Sequence, residues 1–214
     1  MTAPRGPRLI DELSADLEPV RRPLREDAAS ALWLAAAWCV VVALAWLSGP
    51  FRPGFAGQLI DAPRFALESA LGLALGVAAV VGAFSLATPG GRSRGTLWAL
   101  LIVTVAWVGL LAIGLFAPAL APSSLGMRSG CNIQTLLFSL VPLGAGFWAL
   151  RRRAVLNRRL AGFCLGAAAG SLPALVMQWA CMYDPAHAFM AHLGPGALVA
   201  IAGALLGPRL LPRL

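Results

Sequence analysis

The chain has 214 residues, 59% hydrophobic and only 12% charged, with a formal net charge of +8 in which arginine supplies every basic side chain apart from two histidines. Soluble domains run at roughly 45–50% apolar and about 25% charged, so this composition and a mean hydropathy of +0.78 exclude a soluble globular domain. They specify an integral membrane protein, and the basic excess then follows from membrane topology and requires no nucleic acid.

The first 27 residues form a leader ahead of the first apolar run. Ile10, Leu13, Leu17, Val20 and Leu24 recur at alternating steps of three and four, which predicts an amphipathic helix that Pro19 and Pro23 interrupt after about three turns. Its polar side is acidic between residues 11 and 18, with Asp11, Glu12, Asp16 and Glu18. A helix lying on an anionic membrane carries Lys or Arg on that side, so this stripe suits a groove on a basic protein partner, with Arg21, Arg22 and Arg25 left for the lipid. The candidate partner-binding residues are Ile10, Leu13, Asp16, Leu17, Pro19 and Val20. No cleavable signal peptide is expected behind so long and acidic a leader.

Residues 28–214 divide at Pro, Gly and charged breaks into six runs long enough to cross a bilayer. They are predicted near 28–47, 66–87, 97–117, 134–150, 160–182 and 189–206, giving an all-α, six-span polytopic membrane domain. Pro142, Pro173 and Pro195 fall inside spans, where neighbouring helices satisfy the freed backbone groups. Gly72 with Gly76, Gly162 with Gly166 and Gly170, and Gly203 with Gly207 have the spacing that lets helix backbones approach closely. Fourteen of the seventeen arginines fall in the leader, the second and fourth loops and the tail, against Arg52, Arg64 and Arg128 in the other loops. The positive-inside rule therefore predicts that both termini are cytoplasmic. Trp33, Trp98 and Trp148 at inner ends, and Trp46 and Trp179 at outer ends, fit an interfacial belt.

This orientation brings most of the unusual chemistry to the outer face. Cys39 and Cys164 lie within spans, where a thiol packs as a small apolar residue. Cys131 stands at the mouth of the fourth span and Cys181 at the end of the fifth, with Asp61, Glu68, Asp184, His187 and His192 at the same level. Disulfides persist on that side of the membrane. Two thiolates near imidazole and carboxylate suit Zn²⁺, Cu(I) or a heavier soft cation, while the thiols alone suit a reversible disulfide. Cys131 and Cys181 are the candidate sensor residues and tentative metal ligands, with His192, His187 and Asp184 as auxiliary ligands; His187 by itself reads as a solvated loop residue. There is no C-x-x-C and no H-E-x-x-H, so no enzyme signature is present and no obligatory cofactor is expected. A membrane thiol-disulfide oxidoreductase is the alternative from another class, yet it would need a second cysteine pair to relay the disulfide. A small transporter would need a charge at the middle of a span, and Glu68 is placed at an outer end.

The stretches "LIDELSADLEPVRRP", "SGCN", "ACMYDPAHAFMAHLG" and "GALLGPRLLPRL", in this order around six spans, resemble the NrsF-type membrane anti-sigma factors, negative regulators of extracytoplasmic-function (ECF) sigma factors. The resemblance covers essentially the whole chain. It implies a cytoplasmic N-terminal segment that holds an ECF sigma factor at the bacterial inner membrane, and outward cysteines that release it under stress; the thiol chemistry above makes a heavy metal or an oxidant the expected signal. Those roles fall on Leu13, Leu17, Pro19 and Val20 in the leader and on Cys131, Cys181 and His192 in the membrane domain. The expected partners are an ECF sigma factor and the lipid bilayer, with no direct contact to nucleic acid and a homo-oligomer left open. A soft metal ion would act only as a transient signal.

Overall fold

The computed structural model describes residues 14–15, 24–91 and 93–212, so the leader positions Ile10, Leu13, Asp16, Leu17, Pro19 and Val20 lie outside the described residues. Among the described residues the chain is helical, with one isolated bridge between Ser123 and Tyr183. The helices are α1 (Glu26–Leu47), α2 (Phe55–Asp61), α3 (Pro63–Ser85), α4 (Ser93–Gly114), α5 (Cys131–Leu150) and α6 (Arg158–Ala180). A last continuous run comprises α7 (Pro185–His187), a π-helical turn (Ala188–Leu193) and α8 (Gly194–Leu210). Six helical runs are long and apolar enough to cross a membrane.

The helix starts follow from local chemistry. Glu26 and Asp27 occupy the first turn of α1, where carboxylates meet the positive end of the helix dipole. Asn157 caps α6 by accepting from the Leu160 amide at 3.0 Å, the usual work of an N-cap side chain. Gly130 takes a left-handed conformation with φ at 73°, which a residue with a side chain rarely adopts. That bend makes Cys131 the first residue of α5, three residues earlier than the apolar run suggests.

Helix α6 is the hub, buried along nearly its whole length and packed on α8, α3, α5 and α1, whereas α4 packs mainly on α3. The glycines decide how close this packing is. A methyl group on Gly166 would strike the backbone of Val199 and Ala200, and one on Gly203 would strike that of Gly162. Helices α6 and α8 therefore touch backbone to backbone, as close approach through small residues allows.

Tryptophan follows the expected belt only in part. Trp98, Trp148 and Trp46 are exposed, but Trp33 is buried and donates from Nε1 to the Pro142 carbonyl at 3.1 Å. Trp179 is half-buried, bonded to Ser69, stacked with Phe55 and met edge-on by Trp38. The short helix α2, which supplies Phe55, has no counterpart among the predicted spans. It lies across the same end of the bundle as Cys131 and Cys181.

Candidate functional site

Two helix ends build the site. Cys131 opens α5, and Cys181 is the residue at which the chain leaves α6 for an extended strand-like segment, its amide still bonded to Met177. Both side chains are buried, and their sulfurs stand 2.6 Å apart. This separation lies between an S–S bond of about 2.05 Å and van der Waals contact, so a small movement would join or part them. His187 Nε2 lies 3.4 Å from the Cys181 sulfur. The ring of His192 stands 5.0 Å from that of His187 and nearly perpendicular to it. One ligand atom from each of Cys131, Cys181, His187 and His192 falls within 4.8 Å of every other.

The two histidines meet because of the π turn. On an α-helix, neighbours on one face are three or four residues apart, so positions 187 and 192 would diverge. The wider π turn closes with i to i+5 hydrogen bonds and stacks residues five apart. Pro195 supplies the local cause. It has no amide to offer the carbonyl four residues back, and its ring crowds that carbonyl. The carbonyl belongs to Ala191, and Thr135 Oγ1, one turn beyond Cys131, reaches it at 3.4 Å while also bonding the Cys131 carbonyl at 2.8 Å. The orphaned acceptor of the last span is thus tied to the helix that carries the first cysteine.

Asp184 stands apart from the cluster. Its Oδ1 accepts from the His187 amide at 2.7 Å, so it caps the turn that carries His187 and orients that residue from outside. His187 is half-buried, not free in solvent as its loop position suggested. Neither ring nitrogen of the buried His192 closes a well-formed hydrogen bond. The group it faces is the Cys181 thiol.

The three arginines at this end of the bundle are all engaged. Arg52 is 2% exposed, donates to the Cys181 carbonyl at 3.2 Å and to Gln58 at 2.7 Å, and lies over the rings of Phe65 and Tyr183. Arg128 donates to the carbonyls of Ala45, Gly49 and Pro50 and to the Ser48 hydroxyl, closing the C-terminus of α1. Arg64 donates to Ala117 and Leu110 and pairs with Glu68 at 3.7 Å. Burial lowers the Arg52 and Arg128 guanidinium values, opposed by attraction to Tyr183 and Cys181 at Arg52 and to both thiols at Arg128. The Cys181 thiol is held below its ordinary value, first by the hydrogen bond from Cys131, then against burial by His192. Hydrogen bonding of this kind favours thiolate at Cys181, the form that binds metal or attacks a disulfide.

Tyr183 joins the covering loops. Its hydroxyl accepts from the Ala119 amide at 2.9 Å and its carbonyl accepts from Ser123 at 2.9 Å. Glu68 is buried between α3 and α6, where Gln178 donates to it at 3.1 Å. Of the other thiols, Cys39 is exposed on α1 and Cys164 is buried in α6, neither near the cluster. Sequence reasoning missed Arg52 and underrated His187. An arginine in a short loop gives no sign of burial, although its Phe-rich neighbourhood was visible.

Comparison with known proteins gives a consistent answer. The profile of the family described as "NrsF: Negative regulator of sigma F" matches residues 13–212. The chain is 31% identical over 193 residues to the "Anti-sigma-F factor NrsF" of Caulobacter vibrioides (strain NA1000 / CB15N), covering 85% of each chain. No solved structure matches.

Proposed function

The chain belongs to the NrsF family of negative regulators of sigma F, and we propose that it is a membrane anti-sigma factor for an ECF sigma factor. Residues 1–27 hold the factor on the cytoplasmic side through Ile10, Leu13, Asp16, Leu17, Pro19 and Val20. The cluster at Cys131 and Cys181 faces the periplasm, and a soft metal ion or a thiol oxidant acting there releases the factor. The observation that carries this reading is the burial of two thiols at 2.6 Å, drawn from positions fifty residues apart.

A route to the leader supports it. Helix α5 begins with Cys131 and ends at Leu150, and Arg153 just beyond donates to the carbonyl of Leu24 at 2.6 Å. One helix therefore runs from the signal to the root of the leader. A signal acts along it only by favouring one of two packings that the sigma factor distinguishes.

Affinity purification in mild detergent tests the reading. A sigma factor should co-purify with the intact protein and be lost when residues 1–23 are deleted. Retention without the leader would place the binding surface elsewhere.

A further inference from the structure

The cluster supports more than a cysteine pair. Resting on the reading of this cluster as the signal input, we propose that Cys131, Cys181, His187 and His192 form one closed four-ligand centre for a d¹⁰ cation of tetrahedral preference, such as Zn²⁺, Cd²⁺ or Cu(I), assembled by the π turn.

Four arguments meet here. The donor count is that of a structural zinc-type site, two sulfurs and two imidazoles, with no fifth protein donor in the group. Soft thiolates select soft or borderline cations, and imidazole suits the same ions. His192 is 2% exposed and neither of its nitrogens has a well-formed partner, an arrangement that native interiors rarely tolerate unless the group has work to do. Finally, the π turn has a local price in helix geometry, and its effect is to stack His187 on His192. π turns of this kind recur at functional sites.

Binding and oxidation then differ in direction. A metal needs each sulfur at about 2.3 Å on a separate tetrahedral vertex, so the sulfurs must part from their present contact, with the thiol proton that the pair still carries passing to water as the ion binds. A disulfide draws them together to about 2.05 Å, passing two electrons and that proton to the oxidant. Disulfide formation needs no imidazole ligand and no π turn, so their presence beside the thiols points to metal as the ligand for which the site is built.

The test uses the reduced full-length protein in detergent, titrated with Co²⁺ and then challenged with Zn²⁺ and Cd²⁺. One Co²⁺ per chain is expected, with tetrahedral visible bands and a thiolate-to-metal charge-transfer band, displaced by both challengers. Cys131→Ser and Cys181→Ser should remove or halve the charge-transfer band. His187→Ala and His192→Ala should keep that band while weakening binding by at least about tenfold. His187→Ala guards against misfolding, because this side chain is half-buried. Pro195→Ala changes no ligand, but it restores an amide that can return the π turn to α-helix. It should weaken Co²⁺ binding comparably without lowering thermal stability, and unchanged affinity would overturn the role of the turn. Wild-type affinity in both histidine variants, or an octahedral spectrum without charge transfer, would overturn the centre. Those results would still leave a two-cysteine sensor and the sigma-factor reading intact, since co-purification through the leader is measured separately.

Discussion

The two ends of the bundle use arginine in opposite ways. At the cysteine end Arg52, Arg64 and Arg128 are few and each is tied down through its terminal guanidinium nitrogens, and Arg52 is buried beside aromatic rings with donors on Gln58 and the Cys181 carbonyl. At the other end arginines are many and largely at the surface: Arg151 and Arg158 bond the last carbonyls of α8, and Arg152 lies over Trp148 at 4.1 Å. Basic side chains near helix C-termini complement the dipole and satisfy its carbonyls. The difference teaches that charge count orients a membrane chain, whereas the few charges that break the count show where the fold holds something in place.

The comparison matters only if the ends are joined rigidly, and that joint gives the largest expected effect. Gly166→Val puts a branched side chain into the backbone of α8. It should destabilise the bundle by about 3 kcal/mol or more, seen as a large fall in melting temperature in detergent and loss of folded protein. A normal melt would mean that the α6–α8 contact can open freely, and the ends would then be uncoupled.

Next is Arg52→Ala. It leaves the Cys181 carbonyl and Gln58 without their donor and removes packing from Phe65 and Tyr183. A loss of about 2–3 kcal/mol is expected, with repression in unstressed cells weakened as Cys181 shifts. Arg152→Ala at the opposite end, where the partner is an exposed tryptophan, should stay within about 0.5 kcal/mol. Equal effects at the two positions would erase the distinction drawn between the ends.

Smaller in stability terms than Arg52→Ala is Arg153→Ala. It removes an exposed bond to the Leu24 carbonyl together with the contacts to Thr88 and the Phe84 ring, worth about 1 kcal/mol in all. Folding should be nearly unchanged while the response to metal, read by a sigma-dependent reporter, is blunted. A full response would show that the signal reaches the leader by another path.

Much of this architecture was legible. Apolar runs of about twenty residues can do little else in a bilayer, and the six observed spans overlap the six expected ones. The meeting of Cys131 with Cys181 was an expectation from loop position, and the structure brings the two together. The histidine pair was not legible. The last span was read from Phe189, so Pro195 appeared near its start, and the disturbance that a proline sends four residues back was not followed. Once the helix is seen to begin at Pro185, positions 187 and 192 fall on either side of that disturbance. Trp33 shows a similar limit, since its place at a span end does not reveal that Pro142 leaves a carbonyl facing it. Asp184 was offered as a ligand, but its place one residue before Pro185 is that of a helix N-cap.

The most direct test of the account is release of the sigma factor from the purified full-length complex, measured after adding Cd²⁺ to the wild type, to the Cys131→Ser/Cys181→Ser double variant and to a Cys39→Ser/Cys164→Ser control. The account predicts release from the wild type and from the control, with retention by the double variant. Release that is equal in all three proteins would contradict it.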